Sequence, residues 1–171
     1  ICIDKNLEIE AIKLLILELS NLDGASFLAH FDDELPVGEI NRLENAISKY
    51  VDKFIPVQHI LGYAYFYGYK LKVSKDVLIP RCETEELVGY ALEYYDEIFK
   101  GKKVDVCDIG TGSGAIAVAL AKEEANMKVS ATDISKDALL IAKQNAKFNN
   151  ADITFYEGDL LEPLIKENLK F

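Results

Sequence analysis

From Val104 onward the chain alternates short apolar runs with amphipathic ones, and this alternation limits the fold more than any other feature. Residues 104–109, 128–132 and 153–156 read as strands. Between them, residues 114–122 and 135–148 read as helices, with Ser135 placed to cap the second. Strand–helix–strand–helix–strand implies an α/β fold, a parallel sheet with helices on its faces. A helix carrying Leu87, Val88, Ala91, Tyr94, Tyr95 and Ile98 precedes the first strand.

The first strand runs into Asp108-Ile109-Gly110-Thr111-Gly112-Ser113-Gly114, which opens the next helix. Glycines in such a loop let the backbone turn tightly and approach a ligand closely, and the helix start offers free N–H groups to an anion. A glycine loop alone is weakly specific. Gly110, Gly112 and Ala115 also fit G-x-G-x-x-A, which a nicotinamide-binding site uses. Two further acids narrow the choice. Asp133 ends the second strand, where a carboxylate accepts from both hydroxyls of a ribose, a feature dinucleotide sites share. Asp159, in Gly158-Asp159-Leu160-Leu161, follows the third strand, where it accepts from an adenine amino group. Singly, each acid reads as a helix cap or a solvated loop residue. Together they mark three successive strand ends on one side of a sheet.

The front of the chain reads as helical. Ile9, Ile12, Ile16 and Leu19 share a helix face, Asn21-Leu22-Asp23-Gly24 reads as a stop, and a short segment around Phe27, Leu28 and Phe31 follows. Ile40, Leu43, Ile47 and Tyr50 form a second stripe, with Pro36 near its start and Pro56 ending it. The pattern then changes to period two. Tyr63, Tyr65, Tyr67 and Tyr69 fall on one side, continued by Leu71 and Val73, with a turn at Ser74-Lys75-Asp76 and a return through Val77-Leu78-Ile79 to Pro80. This predicts a β-hairpin with a packed tyrosine face.

The acids and the glycine loop resemble the cofactor motifs of class I S-adenosylmethionine-dependent methyltransferases. Pro56-Val57-Gln58-His59-Ile60-Leu61-Gly62, Phe66-Tyr67-Gly68 and, most specifically, Asp76-Val77-Leu78-Ile79-Pro80-Arg81-Cys82-Glu83-Thr84-Glu85 resemble the linker of the HemK/PrmC-type protein-(glutamine-N5) methyltransferases. Cys82 departs from that pattern, where the family has a second Pro. The resemblance implies an enzyme that uses S-adenosylmethionine to methylate the glutamine of the Gly-Gly-Gln motif in peptide chain release factors. It also implies a layout: residues 1–62 as a helical substrate-docking domain, 63–82 as a hairpin linker, and 83–171 as the N-terminal half of a Rossmann-like methyltransferase domain. The cofactor residues it implies are Asp108, Gly110, Thr111, Gly112, Ser113, Gly114, Asp133, Asp159 and Leu160. The family's Asn-Pro-Pro-Tyr motif, which holds the substrate amide, is not among these 171 residues. No catalytic residue is therefore assigned, and the chain by itself is expected to be inactive and truncated. In the family's strand order, 3-2-1-4, the strand at 104–109 would be an edge. Either self-association through that edge or further chain covering it is expected.

Composition removes other classes. The formal charge is −10 and no basic stripe occurs, which argues against a direct grip on nucleic acid and so against a DNA adenine methyltransferase, the nearest rival enzyme. A non-catalytic module that binds the cofactor and docks a partner is the rival outside enzymes. Cys2, Cys82 and Cys107 form no C-x-x-C pair, so neither a disulfide frame nor a metal site is expected. His30 and His59 read as packed or exposed side chains rather than ligands, and Cys82 has no neighbouring His to make it a nucleophile. No apolar run approaches the ~20 residues of a membrane span, and no signal-peptide pattern opens the chain, so a cytoplasmic setting is expected. The start at Ile1 rather than Met suggests a missing N-terminus.

Overall fold

The computed structural model of the chain describes residues 7–20, 24–29 and 35–171. The expected stop at Asn21-Leu22-Asp23, together with Cys2, His30 and Phe31, lies outside the described residues. The chain divides into two compact units, Ile1–Gly62 and Tyr63–Phe171.

In the first unit, helices α1 (Ile9–Ser20), α2 (Gly24–Ala29), α3 (Val37–Lys53) and α4 (Val57–Leu61) follow one another. Pro36 and Pro56 occupy the N-cap positions of α3 and α4, where the N–H that proline lacks is not needed. Phe54, in a left-handed conformation, closes α3 by donating its N–H to the Lys49 carbonyl. The core gathers Leu15, Ala46, Tyr50, Val51 and Val57, with Ala11, Ile12, Leu19 and Ile47 packed against it. The Tyr50 hydroxyl accepts from the Glu8 N–H at 3.2 Å, which ties the start of α1 to α3. The buried row of α1 is therefore rotated from the expected one. Leu15 is its centre, and Ile9 is exposed because it lies about a third of a turn away from Leu15 around the helix, while Leu7, Ala11 and Ile12 beside it still pack on the core. Ile40, in the first turn of α3, is also exposed.

The second unit opens with a hairpin of β1 (Tyr63–Phe66) and β2 (Tyr69–Lys72), in which Tyr63 pairs with Lys72 and Phe66 with Tyr69. Its turn is Tyr67-Gly68, with φ of 50° and 80°, so both central residues are left-handed as a two-residue hairpin turn demands. This corrects the expected layout. A two-residue turn changes which alternate positions share a face, so Tyr63 and Tyr65 lie outside with Lys70 and Lys72, while Ala64, Phe66, Tyr69 and Leu71 face inward. Tyr65 is 61% exposed. The turn expected at Ser74–Asp76 is present, with Val77 N–H donating to the Ser74 carbonyl, but no return strand follows it.

After the hairpin come α5 (Cys82–Ile98), β3 (Val104–Ile109), α6 (Ala115–Glu123), β4 (Met127–Asp133), α7 (Lys136–Phe148), β5 (Ile153–Glu157) and a short α8 (Glu162–Lys166) that the sequence reading did not anticipate. The three later strands form a parallel sheet in the order β3-β4-β5. Among the described residues, β3 pairs with β4 alone. This is the α/β parallel sheet expected, with its three strands in the order the resemblance implies. The core runs from Phe66 and Leu71 of the hairpin through Val88 and Tyr95 of α5 to Val118 and Leu120 of α6 and Val129 and Ala131 of β4. The alanines of α6 are buried on nearly every side, which lets that helix sit close to its neighbours. On α5 only Val88 and Tyr95 are fully buried. Leu87, Tyr94 and Ile98, which helped to mark this helix in the sequence, are exposed.

Candidate functional site

Parallel strands all point one way, so their carboxyl ends bring the loops after β3, β4 and β5 to one edge of the sheet. The glycine loop follows β3. The N–H groups of Gly110 and Thr111 both donate to the Thr132 carbonyl at 2.9 Å, which fastens the loop to β4. Gly110, Gly112 and Gly114 have φ of 74°, 56° and 80°, values that only glycine adopts without strain. A Cβ at Gly110 or Gly112 would meet no atom within 4 Å, so the backbone here borders open space. At Gly114 a Cβ would come within 3.0 Å of the Ala142 Cβ, so this glycine serves the packing of the loop against α7.

The side chains between the glycines turn inward. Thr111 and Ser113 are buried, and the Thr111 hydroxyl donates to Asp108 Oδ2 at 2.6 Å. Burial raises the Asp108 carboxyl above the usual carboxylate range. Hydrogen bonds from the Thr111 hydroxyl and the Ala117 backbone oppose this shift, and the nearby charge of Asp133 adds to it. Asp108 thus braces the loop and the start of α6 from beneath. Thr111 and Ser113 have only their backbone to offer a ligand.

Asp133 ends β4 half-buried. Its Oδ2 accepts from the Gly112 N–H at 2.8 Å and its Oδ1 from the Ser135 N–H at 2.9 Å. Each carboxylate oxygen keeps a further lone pair for a hydroxyl donor. Ser135 caps α7 as expected, accepting from the Ala138 N–H. The loop after β5 is joined to this edge by the Gly158 N–H, which donates to the Asp133 carbonyl, and by the Thr132 hydroxyl, which donates to the Leu160 carbonyl at 3.2 Å. Asp159 and Leu160 are exposed there. Ile134 and Leu160, 71% and 66% exposed, stand next to the two acids. The site therefore offers open glycine backbone, a half-buried carboxylate and uncovered apolar side chains beside exposed acid. That set suits an elongated ligand with a hydrogen-bonding sugar and a flat apolar base. Among the described residues no three His, Cys, Asp or Glu side chains converge as a metal would require.

The other singled-out residues take ordinary places in their own elements. His59 is half-buried in α4, and Cys82 is exposed at the first turn of α5. Cys107 is pushed up to about 11 by burial and by the charge of Asp108, so its thiolate is suppressed. Two further residues contribute: Glu85, which the sequence placed only within the linker motif, and Asn145, which no motif marked. Glu85, in the first turn of α5, accepts from the Tyr67 N–H at 2.6 Å and so holds the hairpin turn. Asn145, on α7, is 1% exposed and touches both the hairpin and the glycine loop. A polar residue in a helix ordinarily reads as solvent-facing. The one available signal was its spacing from buried Ala138, Ile141 and Ala142, which puts it on their face.

Comparison with known proteins agrees with this arrangement. Residues 93–171 match the methyltransferase small domain, and residues 5–62 match the PrmC N-terminal domain. The chain is 44% identical over 164 residues to the release factor glutamine methyltransferase of Bacillus subtilis, covering 95% of this chain and 57% of that protein. It is 39% identical over 159 residues to the Enterococcus faecalis protein of the same name, covering 93% and 56%. Over 107 residues it is 46% identical to the Flavobacterium psychrophilum protein, again of that name. The chain spans about half the length of the curated relatives it matches.

Proposed function

This chain belongs to the HemK/PrmC-type methyltransferase family, and we propose that it forms the cofactor-binding part of an enzyme that methylates the side-chain amide of a glutamine in peptide chain release factors. The methyl donor is S-adenosylmethionine, which supplies an electrophilic methyl group on a positively charged sulfonium. The observation that carries the reading is the joint geometry of the Gly110–Gly114 loop and Asp133, with open space over the glycines and a carboxylate bonded to the loop it faces.

In this reading the backbone of Gly110 and Gly112 cradles the amino-acid end of the cofactor. Asp133 accepts from the ribose hydroxyls, Asp159 and the backbone at Leu160 receive the adenine edge, and Ile134 and Leu160 shield its faces. Thr111, Ser113 and Asp108 hold the loop in shape from below. An amide nitrogen is a poor nucleophile because its lone pair is shared with the carbonyl. Rate enhancement then depends on holding the two reactants in line and on polar groups aimed at the changing charge. The residues named here fix the donor half of that alignment.

Residues 1–62 are proposed to dock the protein substrate, in line with their separate core and their excess of acidic side chains. The partner is a release factor, direct contact with nucleic acid is not part of the reading, and the setting is cytoplasmic. None of the described helices is long and apolar enough to cross a membrane. A calorimetric titration tests the site. S-adenosylhomocysteine, the demethylated product, should bind and NAD should not. Binding of NAD in its place would assign the glycine loop to a dinucleotide and overturn the proposal.

A further inference from the structure

The hairpin and the glycine loop are far apart in sequence but share one buried side chain. In the hairpin, Phe66 and Tyr69 flank the two-residue turn as a hydrogen-bonded pair, so the N–H and C=O groups of Lys70 and Lys72 point away from β1. Such an edge needs partners. Helix α7 supplies them. Asn145 Oδ1 accepts from the Lys72 N–H at 2.7 Å, Asn145 Nδ2 donates to the Lys72 carbonyl at 2.9 Å, and Asn149 Nδ2 donates to the Lys70 carbonyl at 3.1 Å. The four residues from Asn145 to Asn149 rise ~6 Å along the helix axis, which matches two residues of strand, ~7 Å, so the two asparagines act like a short added strand.

Asn145 does one thing more. Its Nδ2 also donates to the Ser113 carbonyl at 2.8 Å. The same peptide unit donates its N–H, that of Gly114, to the Thr111 carbonyl at 2.8 Å. The Ser113–Gly114 peptide plane is thus held at both ends, and it lies between the left-handed Gly112 and Gly114. We propose that Asn145 is a positioning residue that couples the docked hairpin to the shape of the cofactor loop, so that hairpin order and cofactor affinity rise and fall together. This rests on the reading of the glycine loop as the cofactor site. Reciprocity requires that a ligand which favours the ordered loop also protects the hairpin edge.

The test uses the full-length protein with S-adenosylhomocysteine as the probe. In the native protein, saturating ligand should slow hydrogen exchange at the Lys72 amide, although that amide lies outside the proposed contact residues. Asn145→Ala should weaken binding by roughly tenfold, the equivalent of about one hydrogen bond, and abolish the slowing. Asn145→Asp keeps the acceptor for Lys72 but turns a carboxylate toward two carbonyls, and should be no better than Asn145→Ala. Asn149→Ala loosens the same hairpin edge at Lys70 without touching the loop, and through the coupling it should also weaken binding, by less than Asn145→Ala. Native affinity in folded Asn145 variants, or a Lys72 amide in the native protein indifferent to bound ligand, would overturn the coupling while leaving the cofactor site intact. Should the variants fail to fold, the native exchange measurement decides by itself. Failure of the native protein to bind the probe would instead overturn the site reading, and the coupling with it.

Discussion

Replacing Asp133 by alanine removes two interactions of different kinds, and their sizes can be separated. In the free protein the carboxylate accepts from two backbone N–H groups, those of Gly112 and Ser135, at 2.8 and 2.9 Å. Hydrogen bonds to a charged group contribute ~1.5–3 kcal/mol each. Asp133 is only half-buried, so water partly replaces them, and the expected loss of folding stability is about 2–4 kcal/mol in total. In the complex the same side chain is assigned both ribose hydroxyls, whose bonds partly replace water on this half-exposed carboxylate, so the net loss is about that of one charged hydrogen bond, ~1.5–3 kcal/mol in binding, or roughly 10- to 150-fold in Kd. Asp133→Asn keeps one acceptor but turns an NH₂ toward an N–H donor, so it should fall between native and alanine in stability. Urea denaturation reads the first quantity, and calorimetric titration with S-adenosylhomocysteine of the folded variant reads the second. A folded Asp133→Ala protein with native affinity would remove Asp133 from the site. A variant with native stability would refute the loop contacts as energetic features.

Other expectations follow from groups outside the site. Cys107, held at about 11 by burial and by Asp108, should be alkylated by iodoacetamide near pH 8 far more slowly in the folded protein than after unfolding; equal rates would contradict its burial. The Tyr69 hydroxyl donates to Glu123 Oε1 at 2.6 Å, and this bond, with burial, raises Tyr69 from 10.0 to about 12. The folded state then holds that proton more tightly than the unfolded one. Its contribution to stability is complete below pH 10.0 and lost as pH rises to about 12. In Tyr69→Phe the phenolate absorbance titration should lose its most alkaline step, and an unchanged titration would refute the assignment. Removing residues 1–62 from the full-length enzyme should spare cofactor affinity and impair methylation of the intact release factor; equal methylation by both forms would count against docking.

What the sequence disclosed depended on how local the cause was. The strands of the parallel sheet were legible because each is a short run bounded by glycine, acid or polar residues, and its length, flanks and β-branched residues together separate it from the helices. The glycine loop was legible because left-handed backbone at Gly110, Gly112 and Gly114 leaves a mark in residue type. The hairpin turn was not, since Tyr67 takes a left-handed conformation that tyrosine rarely adopts, and counting it as a strand residue put the aromatic face on the wrong side. The centre of the buried row of α1 was missed because residues 14–17 are apolar all round in sequence (Leu14, Leu15, Ile16, Leu17), so the stripe fixes the helix but not which of its sides packs. Glu85, Asn145 and Asn149 act on backbone groups 18, 32, 73 and 79 residues away, and no local pattern records such distances.

The most direct test of the account is methyl transfer by the full-length protein that contains this chain, incubated with S-adenosylmethionine and an intact release factor and followed by peptide mass spectrometry. One added methyl group is expected on the glutamine of the Gly-Gly-Gln motif, with methylation at limiting cofactor weakened in step with binding in Asp133→Ala. A protein that binds the cofactor yet leaves that glutamine unmodified, or that methylates adenine in DNA instead, would contradict it.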